Sequence, residues 1–177
     1  NLWIHYDNFS HWGIVAKEIV TYNQFPNFQS DLIQFQSYAT GSASFIYYMS
    51  KITGLYSEGF MSVAQSWLVL SACFTFFVWI SRNSKKYSIP VIMFIMLLFI
   101  VNIQPYDLLV DTLLTSLALA TINIIVFYQK SLQKITYQLS LIFLFLISVK
   151  TSGIFFVISA LFLMIFYSFR MRKELRF

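Results

Sequence analysis

Four ionisable residues stand out in an otherwise apolar chain, because each must be capped, paired or used: Asp7, Asp107, Asp111 and Lys150. Asp7 lies in Tyr6-Asp7-Asn8-Phe9-Ser10-His11-Trp12-Gly13. A carboxylate in such an aromatic-rich stretch would suit the work of a general base. Asp7, Asn8 and Ser10 are equally good N-caps for the helix that follows, so both roles stand open for Asp7. Asp107 and Asp111 are four residues apart and share one helix face just after Gln104-Pro105-Tyr106. The helix dipole accounts for Asp107 as a helix start. Asp111 is expected one turn deeper, where a cap does not explain it and a functional role does. Lys150, in Lys150-Thr151-Ser152-Gly153, has two readings. It snorkels to an interface, or it holds a phosphate together with the amides of Thr151–Gly153 at the start of the next helix. His11, with only His5 near it, reads as an interfacial polar side chain, and Cys73 is alone in an apolar run. No metal and no cofactor are expected.

The elements that position these residues follow from composition. The chain has 177 residues, 58% of them hydrophobic, 20% aromatic and 11% charged, with a mean hydropathy of +0.69. Soluble domains carry about 25% charged residues, so this inventory does not build a water-exposed surface. The net charge of +5 comes from basic residues scattered over short inter-helix loops. That is the pattern of a membrane topology signal, and nucleic acid is not an expected partner.

The expected fold is all-α: a polytopic transmembrane helical bundle with interfacial helices in an external first loop. Residues 1–55 form that loop and 56–177 the bundle. Five apolar stretches are expected spans: Glu58–Ile80, Ile89–Ile103, Asp107–Tyr128, Ile135–Val149 and Ile154–Phe169. The second, fourth and fifth are short for a ~30 Å hydrocarbon core, and their outer ends should leave a recess open to the outside. A single helix over Ile135–Phe169 would bury Lys150 near its middle and be weakened at Gly153, so a turn at Lys150–Gly153 is expected. In the loop, His11–Tyr22 is amphipathic, with Trp12, Val15, Ile19 and Tyr22 on the face that would rest in the membrane interface. Asn23–Tyr38 reads as a loop and Gly41–Thr53 as a second short helix.

Orientation follows from charge. Arg82, Lys85 and Lys86, then Lys130 and Lys134, then Arg170, Arg172, Lys173 and Arg176 fall on one side when five helices alternate. The positive-inside rule makes that side cytoplasmic. Every acid except Glu174 then falls outside or at the outer helix ends. The chain opens on Asn1 and stops soon after a helix, so a fragment with at least one spanning helix upstream is expected.

The stretches Tyr6–Gly13, Tyr38-Ala39-Thr40-Gly41-Ser42-Ala43, Tyr106-Asp107-Leu108-Leu109-Val110-Asp111 and Lys150–Gly153 together resemble bacterial multi-spanning glycosyltransferases of the GT-C superfamily. Asn8 stands where the commoner pattern of that superfamily has Glu, and Ala39-Thr40 stand where it has a Pro pair. The resemblance implies an enzyme of the bacterial plasma membrane that works on its outer face. It would transfer a sugar from a polyprenyl-phosphate-linked donor to a glycan or lipid acceptor, among membrane lipids. It makes Asp7 the loop base, Asp111 or Asp107 a second acidic position, and Lys150 a ligand for the donor phosphate, with His11, Tyr38 and Tyr106 in the substrate-binding stretches. The alternatives are a polymerase or ligase of cell-surface glycan, which also uses lipid-linked sugars, and a transporter or flippase subunit, which places charges at broken helices.

Overall fold

The computed structural model describes residues 6–26, 33–34, 38–77, 92–93, 96, 108–128 and 132–174. The expected span Ile89–Ile103 lies almost wholly outside these residues, as do Asp107, Tyr106 and the basic loop at Arg82–Lys86. Seven helices, and no strand, are bounded among the described residues: α1 (Tyr6–Ser10), α2 (Trp12–Tyr22), α3 (Gly41–Thr53), α4 (Glu58–Phe74), α5 (Val110–Phe127), α6 (Leu132–Val149) and α7 (Gly153–Glu174).

Local chemistry explains several boundaries. The Ser57 hydroxyl accepts the Phe60 N–H at 3.2 Å and starts α4, with Glu58 in the first turn. Asn23 and Gly54 take the left-handed conformation after α2 and α3, at φ 56° and 71°. That conformation turns the chain and lets each donate its N–H back, to Ile19 and Ser50. Within the helices, Ser62, Ser71, Thr115, Ser116, Thr121, Ser159 and Ser168 each donate to the carbonyl four residues back. Hydroxyls satisfied in this way are tolerated in apolar surroundings.

α5 is the central helix. Half of its length is buried, against 17% for α7 at the periphery, and it packs on α4, α6 and α7. α6 and α7 form an antiparallel hairpin: Leu139 and Ile135 near the start of α6 meet Ala160, Met164 and Tyr167 farther along α7. α4 runs parallel to α5, since Gln65 reaches Leu109 at its start and Thr75 reaches Asn123 farther along. The bundle therefore has two chemically different ends. One carries Lys17, Glu58, Asp111 and Lys150, and α1–α3 gather there; the other carries Thr75, Tyr128, Lys134 and Arg170.

Several sequence expectations change. Two helices, Val110–Phe127 and Gly153–Arg170, are long and apolar enough to cross a membrane, and Lys134–Val149 is a shorter apolar helix. α6 reaches back to Leu132 and α7 runs on to Glu174, so their 18 and 22 residues span about 27 and 33 Å. The expected shortness reflected the apolar runs alone, and polar residues extend both helices at the end of the bundle that carries Lys134 and Arg170. Two of the three spans from which the recess was expected are therefore longer than expected, and the third lies almost wholly outside the described residues.

α2 also differs from expectation. Trp12, Val15 and Ile19 are buried inside the protein, together with Ala16 and Val20, while Tyr22 is 66% exposed. α2 packs on α3, whose Ala43 and Ile46 join the same core. Its apolar face is thus taken by protein and is not free to lie on a membrane. The turn at Lys150–Gly153 and the bounds of α3 stand as expected.

Candidate functional site

Asp111 and Lys150 come together. Lys150 Nζ donates to Asp111 Oδ1 at 2.6 Å, joining the first turn of α5 to the α6–α7 turn across 39 residues of sequence. α5 begins at Val110, so Asp111 occupies the first turn rather than a position one turn deeper. Part of its placement is therefore explained by the helix dipole. The pair remains reachable: the Asp111 side chain is 68% exposed and that of Lys150 31%.

The α6–α7 turn fixes Lys150 in place. Its carbonyl accepts the Gly153 N–H at 2.8 Å, and Thr151 and Ser152 carbonyls accept from Ile154 and Phe155. The Gly153 amide is thereby consumed, which narrows the expected phosphate-binding amides to those of Thr151 and Ser152. A Cβ on Gly153 would run into the Leu146 carbonyl, so the tight turn requires glycine.

Two buried polar side chains pin the start of α5. The Asn8 carbonyl oxygen accepts the Leu108 N–H at 3.0 Å, and Asn8 is fully buried. From the other side, Gln65 of α4 donates to the Leu109 carbonyl at 3.1 Å. Asp111 is three residues beyond Leu108, so α1 and α4 together set where its carboxylate stands. Asn8 is thus a structural acceptor. An acid at its position would place a charge with no exposure to water against a backbone N–H.

Asp7 lies beside Asn8, half-buried, in the first turn of α1. Its backbone carbonyl accepts the His11 N–H at 3.1 Å. The expected capping role for α2 does not hold: Asp7, Asn8 and Ser10 all lie within α1, and the cap position of α2 is His11, which makes no side-chain cap bond. His11 is 2% exposed and packs edge-on against Trp12 and Tyr38, with ring centroids 4.4 and 5.0 Å away. It is an interior residue rather than an interfacial one, and burial holds its imidazole below the usual histidine range. Tyr38 also lies 5.5 Å from Trp12. Tyr38 is thereby docked onto α2, and Gln34 is held to α1, donating its N–H to the Ser10 carbonyl and accepting from the Tyr6 hydroxyl.

A groove of ≈ 500 Å³ opens where α3 crosses the end of α6. Its walls carry Phe45, Tyr48 and Phe145 and the hydroxyls of Thr40, Ser44 and Ser148, the last only two residues before Lys150. Gly41 makes the crossing possible, because a Cβ there would overlap the Ser148 backbone.

Of the expected site residues, Asp111 meets Lys150, and His11 meets Tyr38. Asp7 is linked to the pair through Asn8 and Leu108, while Asp107 and Tyr106 lie outside the described residues. Among the described residues no three His, Cys, Asp or Glu side chains are grouped to hold a metal. Asn8 and Gln65 had not been singled out. A lone glutamine in an apolar helix was the available signal, because such a side chain needs a buried partner. The described structure defines an all-helical protein with two helices able to cross a membrane. No family model, curated protein or solved structure matches the chain.

Proposed function

We propose that the chain is part of an integral membrane glycosyltransferase that uses a lipid-phosphate-linked sugar on the outer face of the membrane. The membrane part of the proposal is supported by α7. It exposes Phe155, Phe162, Phe166 and Phe169 and the aliphatic residues between them, a contiguous apolar surface far larger than water tolerates. The outer face is supported by charge, since the basic residues Lys134 and Arg170 share the end opposite Asp111 and Lys150.

The Asp111–Lys150 pair carries the catalytic part. It is an accessible ammonium held at a turn by a carboxylate, next to a groove with aromatic walls and beneath α1–α3. An incoming phosphate competes with Asp111 for Lys150, and the groove has room for the apolar chain attached to that phosphate. In the reaction, Asp7 takes the proton of the acceptor hydroxyl. The acceptor oxygen then forms its bond to the anomeric carbon as the bond from that carbon to the phosphate oxygen breaks. Lys150 stabilises the charge that builds on the departing lipid phosphate. Attack opposite the leaving group inverts the anomeric centre.

Replacing Asp7 with Asn should abolish sugar transfer while membrane insertion is unchanged. Full activity in that variant removes Asp7 as the base. A transporter or flippase subunit is the second reading, favoured by the same charged pair at a helix break. Movement of a lipid-linked sugar across vesicles, without its incorporation into product, would select it.

A further inference from the structure

The corner between α3 and α4 presents apolar side chains that neither the protein core nor the proposed transfer reaction uses. Ile52, Leu55 and Tyr56 are 63%, 53% and 50% exposed. Local hydrogen bonds shape this corner from within. The Thr53 hydroxyl donates to the Met49 carbonyl at 2.8 Å and accepts the Leu55 N–H at 3.4 Å. Gly54 then turns the chain, and Ser57 starts α4. Lys51 sits beside the apolar residues, with Nζ 5.5 Å from the ring centroids of both Tyr47 and Tyr56. Tyr47 packs against the core, so the ammonium rests on a fixed aromatic platform with its far side open. Among the described residues Lys51 pairs with no carboxylate.

The height of the corner follows from α4. Gln65 meets Leu109 at the start of α5, and α5 is one of the two helices long and apolar enough to cross a membrane. Glu58 precedes Gln65 by about two helical turns. The corner therefore projects beyond the start of α5, where a ~30 Å hydrocarbon core ends and the headgroups begin. Below it, Val63, Trp67, Leu70 and Phe74 are exposed and recur every three or four residues along α4. The corner stands at the upper end of that apolar stripe.

We infer that the α3–α4 corner is an anchor in the headgroup layer of the leaflet on the Asp111–Lys150 side. Ile52 and Leu55 enter the boundary between headgroups and acyl chains, Tyr56 lies at its polar edge, and Lys51 takes a lipid phosphate. Tyrosine and lysine around aliphatic side chains suit a membrane interface, where one end of each group is apolar and the other wet. The lipid phosphate supplies the opposite charge that no carboxylate offers Lys51. The anchoring expected of α2, whose apolar face is buried, thus falls to the far end of α3. The inference rests on the membrane placement proposed above, and not on the transfer reaction.

The test is spin-label depth measurement on the full chain in vesicles of phosphatidylglycerol and phosphatidylcholine. Single cysteines replace exposed residues (Ile52→Cys, Leu55→Cys and Phe74→Cys) in a Cys73→Ala background, so labelling disturbs no packed side chain. Collisions with oxygen report lipid, and collisions with a water-soluble nickel chelate report water. The label at 74 should meet oxygen and not the chelate, and the labels at 52 and 55 should meet both, as headgroup positions do. Lys51→Gln should shift the label at 55 toward water, and Lys51→Arg should leave it in place. Labels at 52 and 55 as open to the chelate as free label in water, with 74 in lipid, overturn the anchor while the membrane placement stands. Labels at 52 and 55 as deep as that at 74 overturn the headgroup position. An unmoved label in Lys51→Gln overturns the lysine's phosphate contact. A label at 74 open to the chelate overturns the membrane placement, and the anchor with it.

Discussion

Lys150 Nζ stands 2.6 Å from Asp111 Oδ1, so the turn between α6 and α7 is held against the first turn of α5 by a charged pair that solvent still reaches. Exposed pairs of this kind contribute about 0–1 kcal/mol. Asp111→Asn and Lys150→Gln should each change stability by no more than that, measured by thermal unfolding in detergent. Sugar transfer should fall at least tenfold in Lys150→Gln. The charge-exchanged double variant should regain stability without regaining transfer. Unimpaired transfer in Lys150→Gln would remove the lysine from the site.

Asn8 joins α1 to the start of α5 through the buried Leu108 N–H. Removing the acceptor leaves a buried donor without a partner, at a cost of about 1–3 kcal/mol. Asn8→Ala should therefore be destabilised by that amount and should also lose transfer, because Asp111 is no longer held. A melting profile indistinguishable from wild type would show that the bond contributes nothing.

Gly41 lets α3 approach the Ser148 backbone. Gly41→Val must push the two helices apart, and overpacking of this kind costs about 1–3 kcal/mol. Limited proteolysis should cut residues 23–40 faster in this variant. Protection equal to wild type would mean that the crossing yields without strain.

His11 is buried with its titration held low. The unfolded chain binds a proton near pH 6.5 and the folded one only at lower pH. Stability from this residue is thus fully present above pH 6.5 and declines as pH falls toward the folded value. Its slope is at most about 1.4 kcal/mol per pH unit, one proton's worth. Thermal unfolding between pH 7.5 and 5 should show this decline in wild type and a flatter profile in His11→Phe. Parallel profiles would assign the acid sensitivity to other groups.

The helical class, the turn at Lys150–Gly153 and the bounds of α3 were legible because they follow from local signals: composition, a glycine beside polar residues, and an apolar stretch ending at Gly54. The ends of α6 and α7 were misjudged because apolar runs mark where a helix is greasy rather than where its hydrogen bonds stop. For α2 the amphipathic stripe was correct and its partner was not. A stripe states that a face must be covered, and α3 and a lipid surface satisfy that demand equally well on paper. Asn8 was legible only as a departure from a family pattern, since nothing local tells that its carbonyl meets an N–H one hundred residues away.

By itself, the sequence determined that this chain is helical, rich in long apolar segments, and sorted by charge into two kinds of segment. These are properties of residue types and their order, which short-range physics reads directly. Tertiary structure alone decided that Lys150 takes Asp111 as its partner, that Asn8 and Gln65 hold the start of α5 from two sides, and that α2 turns its apolar face inward. The polar pairings among them are made between groups 39 to 100 residues apart. Which buried donor finds which acceptor depends on how the helices pack, and no local pattern encodes it.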